Sequence, residues 1–212
     1  LEVDELLFLD ITATSEKRMP NLKVLADIAN ECFMPLGYGG GVNSFENAKA
    51  IFEIGFEKVA VNSFASEEPA FITQLAEHFG NQAVIASIDV KKDLWGRYQV
   101  YTHAGKRSAG RIPVEWAQEL EARGAGEILL TSIDREGTWQ GFDVELVKSV
   151  TDAVSVPVIA HGGAGRLGHI GEVVKHGGAS AVALGSMVVF QKKGMGVLVN
   201  FPDVNAIKGS LL

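Results

Sequence analysis

Residues 35–63, PLGYGGGVNSFENAKAIFEIGFEKVAVNS, and residues 157–186, PVIAHGGAGRLGHIGEVVKHGGASAVALGS, are two versions of one element. Gly40 and Gly163, Gly55 and Gly178, and Ser63 and Ser186 each stand 123 residues apart. Upstream, DELLFLD (4–10) matches GEILLTS (126–132) at an offset of 122. A period this long implies duplication of a multi-element unit, so the fold must accommodate two copies of it. Each copy alternates short apolar runs with amphipathic stretches. The runs, at 6–9, 34–38, 59–61, 83–88, 128–130, 157–160 and 181–184, are apolar at nearly every position, which suits strands buried on both faces of a parallel sheet. Helical patterns fall near 20–31, 44–54, 67–79, 112–123, 143–153 and 167–176, several of them ending in Gly. Strict alternation with short links is the signature of an α/β parallel architecture. The exception is 91–111, where GRYQVYTHAG reads as a small hairpin after the fourth run.

The repeat also predicts what lies outside the visible pattern. The second half opens with QAVIASIDV (82–90), whose counterpart would fall about 40 residues before residue 1. Seven visible strands and that expected one make eight, so the expectation is a (β/α)8 TIM barrel of two half-barrel repeats. It would be a single domain over 1–212, with halves of about 1–81 and 82–190 and with the first strand and its loop preceding this sequence. An open doubly wound sheet is the runner-up, but a duplicated four-strand half closes more naturally as a barrel.

In such a barrel the chemistry sits at the C-terminal ends of the strands, where both glycine clusters fall. Glycines let backbone N–H groups approach a phosphate closely, and the helix N-terminus that follows adds a favourable dipole. Gly39, Gly40 and Gly41 with Asn62 and Ser63 make one candidate phosphate site; Gly162 and Gly163 with Gly185 and Ser186 make its repeat. Tight βα turns alone would also use such glycines, but two clusters at symmetric positions favour a ligand with a phosphate at each end. Asp10, Asp89 and Asp134 end strands at the same mouth, with Glu136 just beyond, and carboxylates between two phosphates are candidates for acid/base work. Asp89 is the strongest of these, and Asp10 reads as orienting the loop or a lysine. At the opposite face Glu5, Lys58 and Glu127 stand at strand starts, where charges entering apolar strands should be paired. A mutually paired ring is the plain reading, and a gate on the barrel axis the sharper one.

Composition narrows the partners. A net charge of -7 with no block of basic residues argues against nucleic acid or an anionic membrane as the main partner. An anionic small ligand remains open, because backbone amides bind it without net positive charge. The single cysteine, Cys32, cannot form an intrachain disulfide, which suits a cytoplasmic location. The five histidines lie on different elements without ligand spacing, and the glycines lack the acidic residue of a dinucleotide site, so neither metal nor cofactor is expected.

The wording itself is informative. ELLFLDITATSEKR, GGGV, KVAVNS, IDVKK, YTHAGKR, RGAGEILLTSIDREGT, GGAG and the final Gly-Ser resemble the cyclase subunit of imidazole glycerol-phosphate synthase over roughly residues 3–190. The resemblance implies a barrel whose N-terminal face docks a glutaminase. Ammonia released there would pass along the barrel and attack a ribulosyl-carboxamide bisphosphate at the other mouth. A lyase-type cyclisation would yield imidazole glycerol phosphate and an aminoimidazole carboxamide ribotide, the chemistry of histidine biosynthesis. It implies an acid/base role for Asp89, one phosphate site at Gly41, Asn62 and Ser63, another at Gly137, Gly163, Gly185 and Ser186, and supporting roles for Asp10 and Thr131. It makes Glu5, Lys58 and Glu127 members of an ammonia gate. Three features depart from the family pattern: Glu136 replaces an aspartate, His161 replaces a serine, and the tail from Phe190 is unusual. These resemble a paralogous branch linked to amidation of surface-polysaccharide sugars, in which the barrel would pass ammonia to another enzyme.

Overall fold

The computed structural model describes residues 3–190, 196–197 and 199–211. Residues 191–195 and 198, within the unusual tail, lie outside them. The parallel strands are β1 (Leu6–Leu9), β2 (Leu36–Gly39), β3 (Lys58–Val61), β4 (Val84–Lys92), β7 (Glu127–Ser132), β8 (Val158–His161) and β9 (Ala181–Ala183), each hydrogen-bonded to the next in that order. Every link of the series is parallel, from Leu6 opposite Leu36 to Ile159 opposite Ala181. The order follows the chain with no reversal, so the doubly wound alternative is excluded and the sheet is of the (β/α)8 barrel type.

Helices α1 (Leu22–Glu31), α2 (Phe45–Ile54), α3 (Ser63–Glu67), α4 (Ala70–Phe79), α5 (Pro113–Ala122), α6 (Val144–Thr151), α7 (Leu167–Gly177), α8 (Ser186–Val189) and α9 (Val204–Leu211) complete the chain. Among the described residues no helix is long and apolar enough to cross a membrane. The helix expected over 67–79 is α4, and an additional short helix, α3, precedes it. After Val61 the chain makes the short turn of α3, breaks at Glu68–Pro69, and restarts as α4. Proline disfavours helical backbone in the residue before it, which sets the break. Val144–Thr151 is shorter than the pattern 143–153, because Asp143 is its N-cap, accepting from the N–H of Leu146.

Period-2 alternation separates two cores. One face of the strands meets the helices in a large cluster that includes Val59, Val61, Ile88, Ile128 and Leu130. The other faces the barrel axis, where Ala60, Ile85 and Leu129 pack with Leu7, Ile159 and Ala183. Both faces are therefore apolar, which is why the runs in the sequence show no polar alternation.

The corresponding loops of the two halves have matching backbones. Gly55 ends α2 at φ 113°, ψ 11°, and Gly178 ends α7 at φ 70°, ψ 17°. Each donates its N–H to carbonyls of the last turn, the left-handed stop that only glycine adopts without strain. Asn62 precedes α3 at φ -119°, ψ -90°, and Gly185 precedes α8 at φ -111°, ψ -89°.

The hairpin read at 91–111 is present, but it begins earlier. β4 runs past Asp89 to Lys92, and its extension pairs antiparallel with β5 (Tyr98–Thr102), which pairs in turn with β6 (Arg107–Ser108). The arm thus grows directly out of the strand that carries Asp89.

Candidate active site

A cleft of about 660 Å3 opens at the C-terminal ends of β1 to β4, β7 and β8. The parity that sends Ile85 into the barrel also sends Ser87 and Asp89 along the same face, with Asp89 uppermost and opposite Thr131. Burial pushes the Asp89 carboxyl up to about 6, against the opposing pull of the Asn62 and Thr131 side chains. A carboxyl group tuned this way changes charge near neutral pH, which acid/base work requires.

The first glycine corner flanks this group. Gly40 and Gly41 hold φ of 126° and 65°, and a Cβ on either would stand 2.5 Å from a carbonyl oxygen, of Asp10 and Arg18 respectively. These glycines let the loop after β1 lie directly on the loop after β2. Asn62 caps α3 without a side-chain cap bond, leaving its amide near Asp89. Ser63 Oγ accepts from the N–H of His103 at 2.9 Å, so its own proton remains available.

The second corner is a small, separate recess lined by Gly137, Gly162, Gly163, Gly185 and Ser186, with Glu136 and His161 at its boundary with the main cleft. Gly163 is required by close approach, since a Cβ there would meet the Gly141 carbonyl. Gly185 has open space in front of it. His161 links the two cavities: its Nδ1 is 3.1 Å from Thr131 Oγ1, and its Nε2 is 3.7 Å from Glu136 Oε2. Burial lowers its pKa, and the Glu136 carboxylate only partly opposes this.

Two acidic residues stand differently from the strand-end reading. Asp10 lines the cleft, but its carboxylate accepts from the N–H groups of Thr12 and Ala13 and from two Arg18 nitrogens at 3.0 and 3.2 Å. Burial pushes that carboxyl up, yet Arg18 and the loop N–H groups outweigh it and hold it below the ordinary value. Its bonds are all to its own loop, the side-chain partner being an arginine rather than a lysine. Asp134 is exposed and lines neither cavity. Its carboxylate accepts from the N–H of Lys92 at 2.9 Å, tying the loop after β7 to the extended β4. Its expected place among the mouth's supporting polar groups is therefore corrected: the arm's extra pairing claims it first.

Among the cleft residues not singled out from the sequence are Arg18 and His103. Arg18 enters through the fold of its own loop and His103 through the arm. The His-Ala pair before Gly105, in a hairpin turn that would ordinarily favour Asn or Gly, was the available signal for His103.

At the opposite end of the barrel, Lys58 Nζ bonds Glu5 Oε2 at 2.6 Å and Glu127 Oε1 at 2.8 Å. Burial would lower the Lys58 pKa, but the two carboxylates outweigh it and raise it. The second oxygen of Glu127 is buried without a partner among the described residues.

The histidine biosynthesis protein family matches residues 1–193 of the 212. The chain belongs to this family. It is 46% identical over 206 residues to a Pseudomonas aeruginosa protein named "Putative imidazole glycerol phosphate synthase subunit hisF2", a match covering 97% of this chain and 82% of that protein. Membership fixes the fold class. The roles of individual residues at the mouth are a matter for the site itself.

Proposed function

We propose that the chain is the ammonia-using cyclase subunit of an imidazole glycerol phosphate synthase. In this reading it converts a ribulosyl-carboxamide bisphosphate to imidazole glycerol phosphate and an aminoimidazole carboxamide ribotide. The observation that carries it is Asp89, held at about 6 in a cleft flanked by two glycine-serine corners. The substrate's phosphates would occupy Gly40, Gly41, Asn62 and Ser63 at one end and Gly137, Gly163, Gly185 and Ser186 at the other. Asp89 would then face the reacting centre between them, moving protons as ammonia adds and the ring closes. Thr131 and His161 orient the mouth around it, with Glu136 beside His161. The matching caps at Asn62 and Gly185 support one barrel domain of two halves, about 1–81 and 82–190. Ammonia would enter past Glu5, Lys58 and Glu127 from a glutaminase on the N-terminal face. The test is turnover of the bisphosphate with an ammonium salt and no glutaminase: it proceeds in the wild type and is lost in Asp89→Asn.

One observation favours a second reading. Glu136 puts a carboxylate at the edge of the second corner, where it opposes a phosphate dianion unless His161 is protonated, and burial disfavours that protonation. A barrel that hands ammonia to a separate sugar-amidating enzyme would need no second phosphate site. Binding of the bisphosphate through the first corner alone, without turnover, would select this reading.

A further inference from the structure

We infer that His103, on the hairpin arm, is a ligand-binding residue of the first corner and supplies a side-chain N–H to the anionic group held by Gly41 and Ser63. The inference rests on reading that corner as a phosphate site.

Four observations meet at this residue. His103 and Ala104 both carry left-handed backbone, each at φ 54°, in the turn between β5 and β6. Alanine is not favoured there as glycine or asparagine would be, and strained backbone concentrates where a side chain must be aimed. The conformation turns the His103 N–H onto Ser63 Oγ, a bond between residues forty positions apart that fastens the arm to the α3 N-terminus. The imidazole is held at its near side, Nδ1 lying 3.1 Å from Thr102 Oγ1, and Thr102 is buried. At the far side Nε2 stands 3.5 Å from Glu67 Oε1. A carboxylate has no proton to offer, so Nε2 must carry the hydrogen when the two interact.

The ring is therefore fixed in direction while its outer N–H faces a half-exposed carboxylate on the rim of the same cleft. An exposed pair of this kind holds its partner weakly. A phosphate oxygen arriving at the Gly41–Ser63 corner is the stronger acceptor, and Nε2 exchanges Glu67 for it. The His103 backbone N–H stays on Ser63 throughout, which leaves the serine hydroxyl proton free to donate to the same anion. Sequence and fold agree on how this is achieved: the arm starts at Asp89 on β4 and returns to the corner at His103, four residues before the start of β6.

The test is site-resolved titration of the protein with inorganic phosphate. Backbone amide signals of Gly41 and Ser63 report the first corner, and those of Gly163 and Ser186 the second. His103→Gly removes the ring while suiting the left-handed backbone, so a purely structural role predicts unchanged or tighter binding. The inference instead predicts about tenfold weaker phosphate binding at Gly41 and Ser63, the loss of one charge-assisted hydrogen bond, with the second corner unmoved. His103→Asn, which also tolerates left-handed backbone, should match the glycine variant, and His103→Lys should recover most of the loss. Wild-type affinity at the first corner in His103→Gly overturns the inference and leaves the phosphate site intact. No phosphate response at Gly41 and Ser63 in the wild type overturns the site and the inference together.

Discussion

At Asp89 function and stability conflict. A carboxyl held at about 6 in the fold and near 3.8 in the unfolded chain keeps its proton longer when folded. Between about pH 4 and 6 the folded state therefore binds more protons, and stability falls as pH rises through that window and then levels off. The shift corresponds to a cost of about 3 kcal/mol at most at neutral pH. Asp89→Asn, similar in shape but never charged, should raise the melting temperature at pH 7 and lose that gain near pH 4, as thermal unfolding at the two pH values would show. The same variant should lower ammonium-supported turnover at least about 10²-fold, since positioned proton transfer contributes that much or more. In the wild type, turnover should rise with an apparent pKa near 6 if Asp89 acts as the base. A variant that is neither more stable at pH 7 nor slower would mean the carboxylate is solvated and idle. Asp89 was legible in the sequence because a lone acidic residue ends an otherwise apolar strand. Asp134 ends its run in the same way, and only the fold separates the two, leaving Asp134 exposed and bonded to the Lys92 N–H.

Among loops the glycines divide by what surrounds them, which no alignment of the two halves could reveal. Gly163 is locked by the Gly141 carbonyl and a φ of 103°, whereas Gly185 has φ -111° and nothing within 4 Å of a built Cβ. Gly163→Ala should destabilise the protein by several kcal/mol, because backbone must move to admit the methyl and the left-handed conformation adds about 1 kcal/mol more. Gly185→Ala should leave the unfolding midpoint within the ~0.5 kcal/mol scatter of harmless surface changes while weakening bisphosphate binding, because its methyl projects into the recess. Denaturant unfolding beside a binding titration separates the two, and unchanged binding in Gly185→Ala would remove that corner from the site. The elements themselves were largely visible: every parallel strand and the six main helices fall within a few residues of their sequence patterns. What the pattern missed was set by neighbours. β4 outruns its apolar stretch because β5 pairs with its extension, and α3 is too short to show a helical period of its own.

Across the whole barrel, the two ends present opposite chemistry. The mouth offers N–H groups around the buried Asp89 carboxyl, while the N-terminal end holds a lysine between two glutamates with 17–28% of their side-chain surface exposed. Removing one member of such a partly buried set costs about 3 kcal/mol or more, because the remaining charges lose their partner, whereas neutralising the whole set costs far less. Lys58→Met should therefore lower stability markedly, and the triple variant Glu5→Gln, Lys58→Met, Glu127→Gln should regain much of it. Stability alone does not distinguish a brace from a gate. The discriminating measurement is turnover with ammonium salt compared with turnover on glutamine in complex with the glutaminase. Free ammonia reaches the mouth from solvent, so a gate predicts that the triple variant keeps its ammonium-supported rate and loses glutamine-supported rate several-fold. A brace predicts that both rates change together. A fall confined to the glutamine route would join the ends of the barrel into one path, entered between Glu5, Lys58 and Glu127 and ending at Asp89.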